Sequence, residues 1–425
     1  MKKAVLWSVA PLSAALLAVL TLRAERRVPP PPPAPTHAAS EAPAAVAPPA
    51  RNKRAFLNTE VRGLYVTSWI AGMNRFREIA DGVAGSALNA LVIDVKDCTG
   101  KVGYDSALPF VAAIGAHERR IRDLDGVLRY CQEREIHTIA RIAVFQDPVL
   151  ARARPDLAIK APGGAIWTDR KGLSWVDPSS RTVWEYNVGL AKEAASRGFD
   201  EVQFDYVRFP TDGKLSNLVY PVWKSDAPKH EVIKAFFQYL DRELKPVDVL
   251  VSADIFGLTV LAEDDLNIGQ RIEDLAPYVD YLCPMVYPSH FPPGYLGFKK
   301  PAEQPYRVIY DSCVRGMERI RGQRAKLRPW IQDFDLGAVY DEKMVLAQIR
   351  ALRDAGAFGF CVWNARNVYS MAAYKDPLPR PSADPPFRAA LTAELERKRL
   401  AKATRALPPA AAPARTVPNP PKRRV

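Results

Sequence analysis

Asp205 and Asp254 are the residues whose type and placement point most directly to chemistry. Each stands in a short, mostly apolar run, EVQFDYVRF (201–209) and DVLVSADIFG (248–257). A carboxylate in an apolar strand is costly unless paired, so two acids at one hollow suggest divided labour. One would stay ionised as nucleophile or base. The other, its pKa raised by burial and by its neighbour's charge, would serve as general acid.

Further polar groups collect in similar runs: Asp94, Lys96 and Asp97 in LNALVIDVKD (88–97), Arg208 after Asp205, and Tyr287 ending VDYLCPMVY (279–287). Gln332 and Asp333 fall in LRPWIQDF (327–334), and Trp363 and Asn364 close GAFGFCVWN (356–364). Arg208, Lys96 and Gln332 are expected to orient the acids or bind hydroxyls. Period-two alternation puts Gln203 with Asp205 on one face, and Ser252 with Asp254. The same rule turns Gln332 inward; Asp333 reaches the site if the strand ends there. Lys96 has the chemistry for a Schiff base. With Asp94 and Asp97 beside it, charge pairing is expected instead.

Aromatic residues surround these acids: Trp69, Trp167, Trp175, Tyr206, Phe209, Tyr287, Trp330 and Trp363. Core packing is the plainer reading for Trp330 and Tyr206. Trp167 and Trp175 lie in a long loop, 146–178, of a length that usually carries function. An aromatic face beside hydrogen-bonding acids suits a sugar ring. The five histidines form no HxH or HExxH, so no zinc site is expected. No P-loop or GxSxG occurs, and no cofactor is expected.

These residues need a scaffold that brings strand ends together. From Val61 onward eight apolar runs alternate with helical stretches; the other two are VRGLYVTSW (61–69) and HTIARIAVF (137–145). Helical periodicity predicts Met73–Ser86, Ile121–Arg134, a helix capped by Ser179 or Ser180 and running to Arg197, His230–Leu244, Ile272–Leu275, a helix within Ala302–Arg321, and Glu342–Asp354. Eight such repeats over some 300 residues are the pattern of a (β/α)8 TIM barrel, an α/β fold whose sites lie at the C-terminal strand ends. An open doubly wound sheet would carry a Gly-rich turn after its first strand, where Thr67-Ser68-Trp69 stands instead.

The chain has 425 residues, 38 prolines and a formal charge of +13, both excesses being terminal. Residues 1–54 carry +6 and 387–425 carry +8, leaving −1 for the body. A basic nucleic-acid-binding body is therefore excluded. Lys2 and Lys3 precede an apolar run, 4–22, that predicts export, as a signal peptide (1–24) or a membrane anchor. A Pro/Ala-rich linker (25–54) would follow, then the barrel (55–386), then a charged helix and disordered basic tail (387–425). The five cysteines show no CxxC and no disulfide framework.

DEVQFDYVRFPTDG (200–213), VSADIFGL (251–258), DDLNIGQRIEDLAPYVDYLCPMVYPSHF (264–291), RPWIQDF (328–334) and CVWNARNVY (361–369) together resemble a bacterial glycoside-hydrolase-like family of (β/α)8 fold. The likeness spans roughly residues 60–375, almost the whole body. It implies that fold, cleavage of O-glycosyl bonds and a carbohydrate polymer as substrate. A non-hydrolytic glycan-binding barrel at the envelope is the alternative. More distantly, the acids are similar to those of α-amylase-type retaining enzymes, whose fourth strand carries the nucleophile and fifth the acid/base. Gln203 stands where those enzymes have arginine, and Asp254 where they have glutamate.

Overall fold

The computed structural model describes residues 53–406. The apolar run 4–22, nearly all of the linker and the end of the basic tail lie outside them. Eight parallel strands form the barrel: β1 Val61–Val66, β2 Ala90–Lys96, β3 His137–Ala143, β4 Glu201–Asp205, β5 Leu250–Phe256, β6 Tyr281–Met285, β7 in two segments (Lys326–Leu327 and Trp330–Gln332) and β8 Gly359–Trp363. The sheet closes because β1 pairs with both β2 and β8, while β5 pairs with both β4 and β6. Pro329 splits β7, since proline brings no N–H to the ladder. Its carbonyl still accepts from Cys361 N at 2.9 Å.

The helices are α1 Ser68–Ala71, α2 Arg75–Ala84, α3 Pro109–Ala113, α4 Leu124–Gln132, α5 Pro148–Ala153, α6 Arg181–Arg197, α7 Lys229–Leu244, α8 Ile272–Leu275, α9 Pro305–Arg319, α10 Glu342–Ala355 and α11 Arg388–Ala406. The stretch expected to start a helix at Met73 is preceded by the separate α1. Gly72 joins the two, running so close to Arg120 that an added Cβ would sit 1.9 Å from its carbonyl oxygen. Leu124, Leu128 and Cys131 form the buried stripe of α4, whose cap is Asp123, accepting from Gly126 N at 2.8 Å. Ser180 takes the N-cap position of α6, yet its hydroxyl makes no capping bond.

Two apolar cores result. One lies between the sheet and the helices; the other fills the barrel with Tyr65, Val92, Ile139, Leu250, Tyr281, Cys283, Trp330 and Cys361. Alternation along each strand sorts side chains between them. At the N-terminal end of the barrel Glu201 pairs with Arg328, accepts from Ser252 Oγ and meets His137 Nε2 at 3.1 Å. Although burial opposes ionisation, Arg328 and His137 hold the Glu201 carboxyl down at about 2. All five cysteines are free.

Candidate active site

Three carboxylates and one guanidinium converge at the C-terminal end of the barrel. Asp94 from β2, Asp205 from β4 and Asp254 from β5 all face the interior, as alternation predicts. Arg141, third of the inward residues on β3 after His137 and Ile139, stands among them. Its Nη1 meets Asp94 Oδ1 at 2.5 Å, its Nη2 pairs with Asp205 Oδ2, and its Nε lies 3.5 Å from Asp254 Oδ2. Tyr65 from β1 donates its hydroxyl to Asp94 Oδ2. Trp330 from β7 donates Nε1–H to Asp254 Oδ1 at 2.6 Å.

The sharing is unequal. Asp205 holds a direct ion pair and accepts the N–H of Tyr206 at 2.6 Å, with Tyr206 in the left-handed region at φ 54°. That backbone conformation is uncommon outside glycine and turns the chain sharply beyond the acid. Asp254 has only the longer contact to Arg141. Burial and the charge of Asp205 push its pKa well above the usual carboxylate range, against the opposing pull of Arg141 and Trp330. Burial also raises Asp94, with Arg141 and Tyr65 pulling back. Burial works against the Arg141 charge too, yet Asp94, Asp205 and Tyr65 hold it firmly protonated.

Aromatic rings wall this cluster. Trp363 stacks on Tyr65 with centroids 3.9 Å apart, and Arg141 lies 5.2 Å from the Trp363 centroid. Tyr287 is buried between Phe334 and His290; burial, then Asp254 and Asp205, push its hydroxyl pKa well up. At the rim Trp69 presents a half-exposed ring with the Arg120 guanidinium 4.7 Å from its centroid, and Arg120 in turn pairs with Asp97.

Other expected site residues lie elsewhere. Lys96 does not pair with Asp94 or Asp97. A register shift between Asp94 and Lys96 sets Asp94 opposite Arg141 but Lys96 opposite Ile142, a bulge that sends the lysine to the helix side. There it is fully buried, 2.8 Å from Asp147 and 3.1 Å from Asn187. Asp333 also faces outward, accepting from Ser370 N and Oγ and the Tyr374 hydroxyl. Gln332 does turn inward, but its amide ties loops together through Phe334 O, Leu336 O and Ser289 N. Asn364 likewise donates to the Asp333 and Val368 carbonyls. Trp167 and Trp175 are buried, donating to Lys214 O and Asp169 Oδ2, so neither is an open platform. Arg208 packs on Trp175 rather than contacting an acid.

Arg141 and Tyr65 are the site residues that sequence reasoning passed over, and Trp330, read there as core, both fills the barrel and holds Asp254. A signal for Arg141 existed: an arginine on the inward face of an apolar strand, between two strands carrying inward acids. A cavity of about 600 Å³ lies away from this cluster, between α9, α10 and α11, lined by Met317, Arg321 and Leu395 among others.

A closed (β/α)8 barrel with acids gathered at its C-terminal end suits glycoside hydrolysis, and the family match gives the class. Residues 63–369 match the family described as "Putative glycosyl hydrolase domain", and the chain belongs to it. The chain is 36% identical to a hypothetical protein from Ruminiclostridium thermocellum, over 48% of this chain and 98% of that one, with a TM-score of 0.42. It superposes on the PgaB (BpsB) glycoside hydrolase domain from Bordetella bronchiseptica with a TM-score of 0.53 and 15% identity, covering 79% and 98% of the two chains. For alpha-L-fucosidase isoenzyme 2 from Paenibacillus thiaminolyticus the values are 0.51 and 12%, covering 80% and 50%. At these identities the last two likenesses concern the fold. No curated protein matches the chain significantly.

Proposed function

We propose that this glycosidase is exported and cleaves a polysaccharide, with Asp254 as general acid and Asp205 as nucleophile or as base for water. The unequal hold of Arg141 carries the reading. The directly ion-paired Asp205 suits a nucleophile or base, while burial and weak pairing raise the Asp254 pKa, as suits a group that gives a proton to a leaving oxygen. The partly exposed Trp363, backed by Tyr65, and the half-exposed Trp69 offer flat apolar faces of the kind that sugar rings cover. Export rests on the basic start and apolar run at 4–22, outside the described residues.

The test is reducing-end release by residues 55–386 from a panel of envelope and matrix polysaccharides, with Asp205→Asn and Asp254→Asn alongside. Each variant is expected to lose about 10²-fold or more in kcat. Asp254→Asn should recover on a substrate with an activated leaving group, which needs no proton. Full activity in both variants would remove these roles. Anomeric analysis of the product then separates retention, for which carboxyl groups stand about 5 Å apart, from inversion at about 6.5–9.5 Å.

A further inference from the structure

Among the described residues, Lys96, Arg141, Arg208 and Arg328 are the lysines and arginines buried as whole residues. Three have carboxylate partners: Asp147 for Lys96, Asp94 and Asp205 for Arg141, and Glu201 for Arg328. Arg208, 8% exposed, has no carboxylate within 4 Å among the described residues. Its bonds run from Nη1 alone, to Phe209 O at 3.1 Å and Thr211 Oγ1 at 3.2 Å, both neutral acceptors. Nε and Nη2 make no bond to described residues and are not among the sealed unsatisfied atoms, so that edge of the fork opens to solvent.

The surroundings hold the guanidinium in place. It lies 4.5 Å from the Phe256 centroid, 4.7 Å from Trp175 and 5.5 Å from Tyr206. Phe256 follows Asp254 by two residues on β5, and Tyr206 follows Asp205 directly. The cation therefore sits at the rim of β4 and β5, on the mouth side of the acid pair. Asp205 is engaged by Arg141 and Asp169 by Gln146 and Trp175, while Asp212 acts on Arg208 only from beyond ion-pair distance. A largely buried charge with three of its five N–H donors free is costly in isolation and suits an anionic group from outside.

We infer that Arg208 binds the carboxylate of an acidic sugar unit, so that the substrate is a carboxylated glycan rather than a neutral one. This rests on the glycosidase site proposed above and names its substrate class. The free Nε–Nη2 edge matches a planar carboxylate in two parallel bonds, which a lysine cannot reproduce. The Phe256, Trp175 and Tyr206 rings hold the fork in place for that pair.

The probes are hyaluronan, polygalacturonate and alginate, each beside its carboxyl-reduced neutral form, with binding measured by titration calorimetry on the protein and on its Arg208→Gln and Arg208→Lys variants. The protein should bind at least one acidic polymer about tenfold or more tighter than the reduced form. Arg208→Gln should abolish that preference and Arg208→Lys restore only part of it. Melting of Arg208→Gln at or above the parent temperature would show that the side chain does not serve stability. Equal binding of acidic and reduced polymers, no acidic polymer bound, or a preference unchanged in Arg208→Gln would each overturn the inference. Arg208-dependent binding without cleavage leaves it standing and removes the hydrolytic roles of Asp205 and Asp254. Cleavage of neutral polymers only would do the reverse.

Discussion

Trp330 reaches across the barrel from β7 to donate its indole N–H to Asp254 on β5. That bond favours the ionised carboxylate, so losing it raises the Asp254 pKa further. Trp330→Phe is therefore expected to move the basic limb of the kcat/KM profile to higher pH. Loss of alignment should also lower the rate at the optimum by up to about a hundredfold. A basic limb that stays put or moves down would separate Asp254 from the acid role.

The raised pKa of Asp254 has a signature in stability. Between the unfolded and folded pKa values the native chain keeps a proton that the unfolded chain has released. Stability therefore falls as pH rises from about 3.9 through the raised native value, at up to about 1.4 kcal/mol per unit. Asp254→Asn removes this loss while keeping an acceptor for Trp330. Urea melts at pH 4 and pH 8 should show the variant gaining on the parent at the higher pH. A pH-independent difference would mean that Asp254 is ionised in the native state.

Lys96 and Asp147 are a fully buried pair remote from the acids. Lys96→Met leaves Asp147 uncompensated and should cost about 3–5 kcal/mol, with Asp147→Leu in the same chain recovering much of it. The surviving folded enzyme should keep its kcat and give no borohydride-trapped adduct. Loss of kcat in the stable double variant would return Lys96 to the chemistry.

Gly359 opens β8 at φ 85°, where an added Cβ would stand 2.1 Å from Val61 O, at the seam that closes the barrel. Gly198, at φ 111°, has nothing within 4 Å of the same position. Both alanine variants bear the backbone strain, about 1–3 kcal/mol, but only Gly359→Ala adds a clash across the β1–β8 seam. Chemical denaturation should rank Gly359→Ala as clearly the more damaging. Equal losses would show that the seam yields without resistance.

Much of the architecture was legible because it depends on local pattern. Each strand announces itself as a short apolar run, and seven of the eight expected runs contain their strands, the divided β7 starting one residue early at Lys326. Alternation likewise turned Asp205, Asp254 and Gln332 inward. Where it failed, one residue was responsible. The bulge after Asp94 reverses Lys96, and nothing in VIDVKD marks where a ladder slips.

The sequence alone determined the repeat of strand and helix, and so the end at which the acids must gather, because alternating burial is written into residue order. Only the tertiary structure decided which partners each charge acquires. Arg141 meets acids 47, 64 and 113 positions away in the chain. Closing the barrel sets their distances, and those distances give Asp205 a direct ion pair and leave Asp254 only a longer contact.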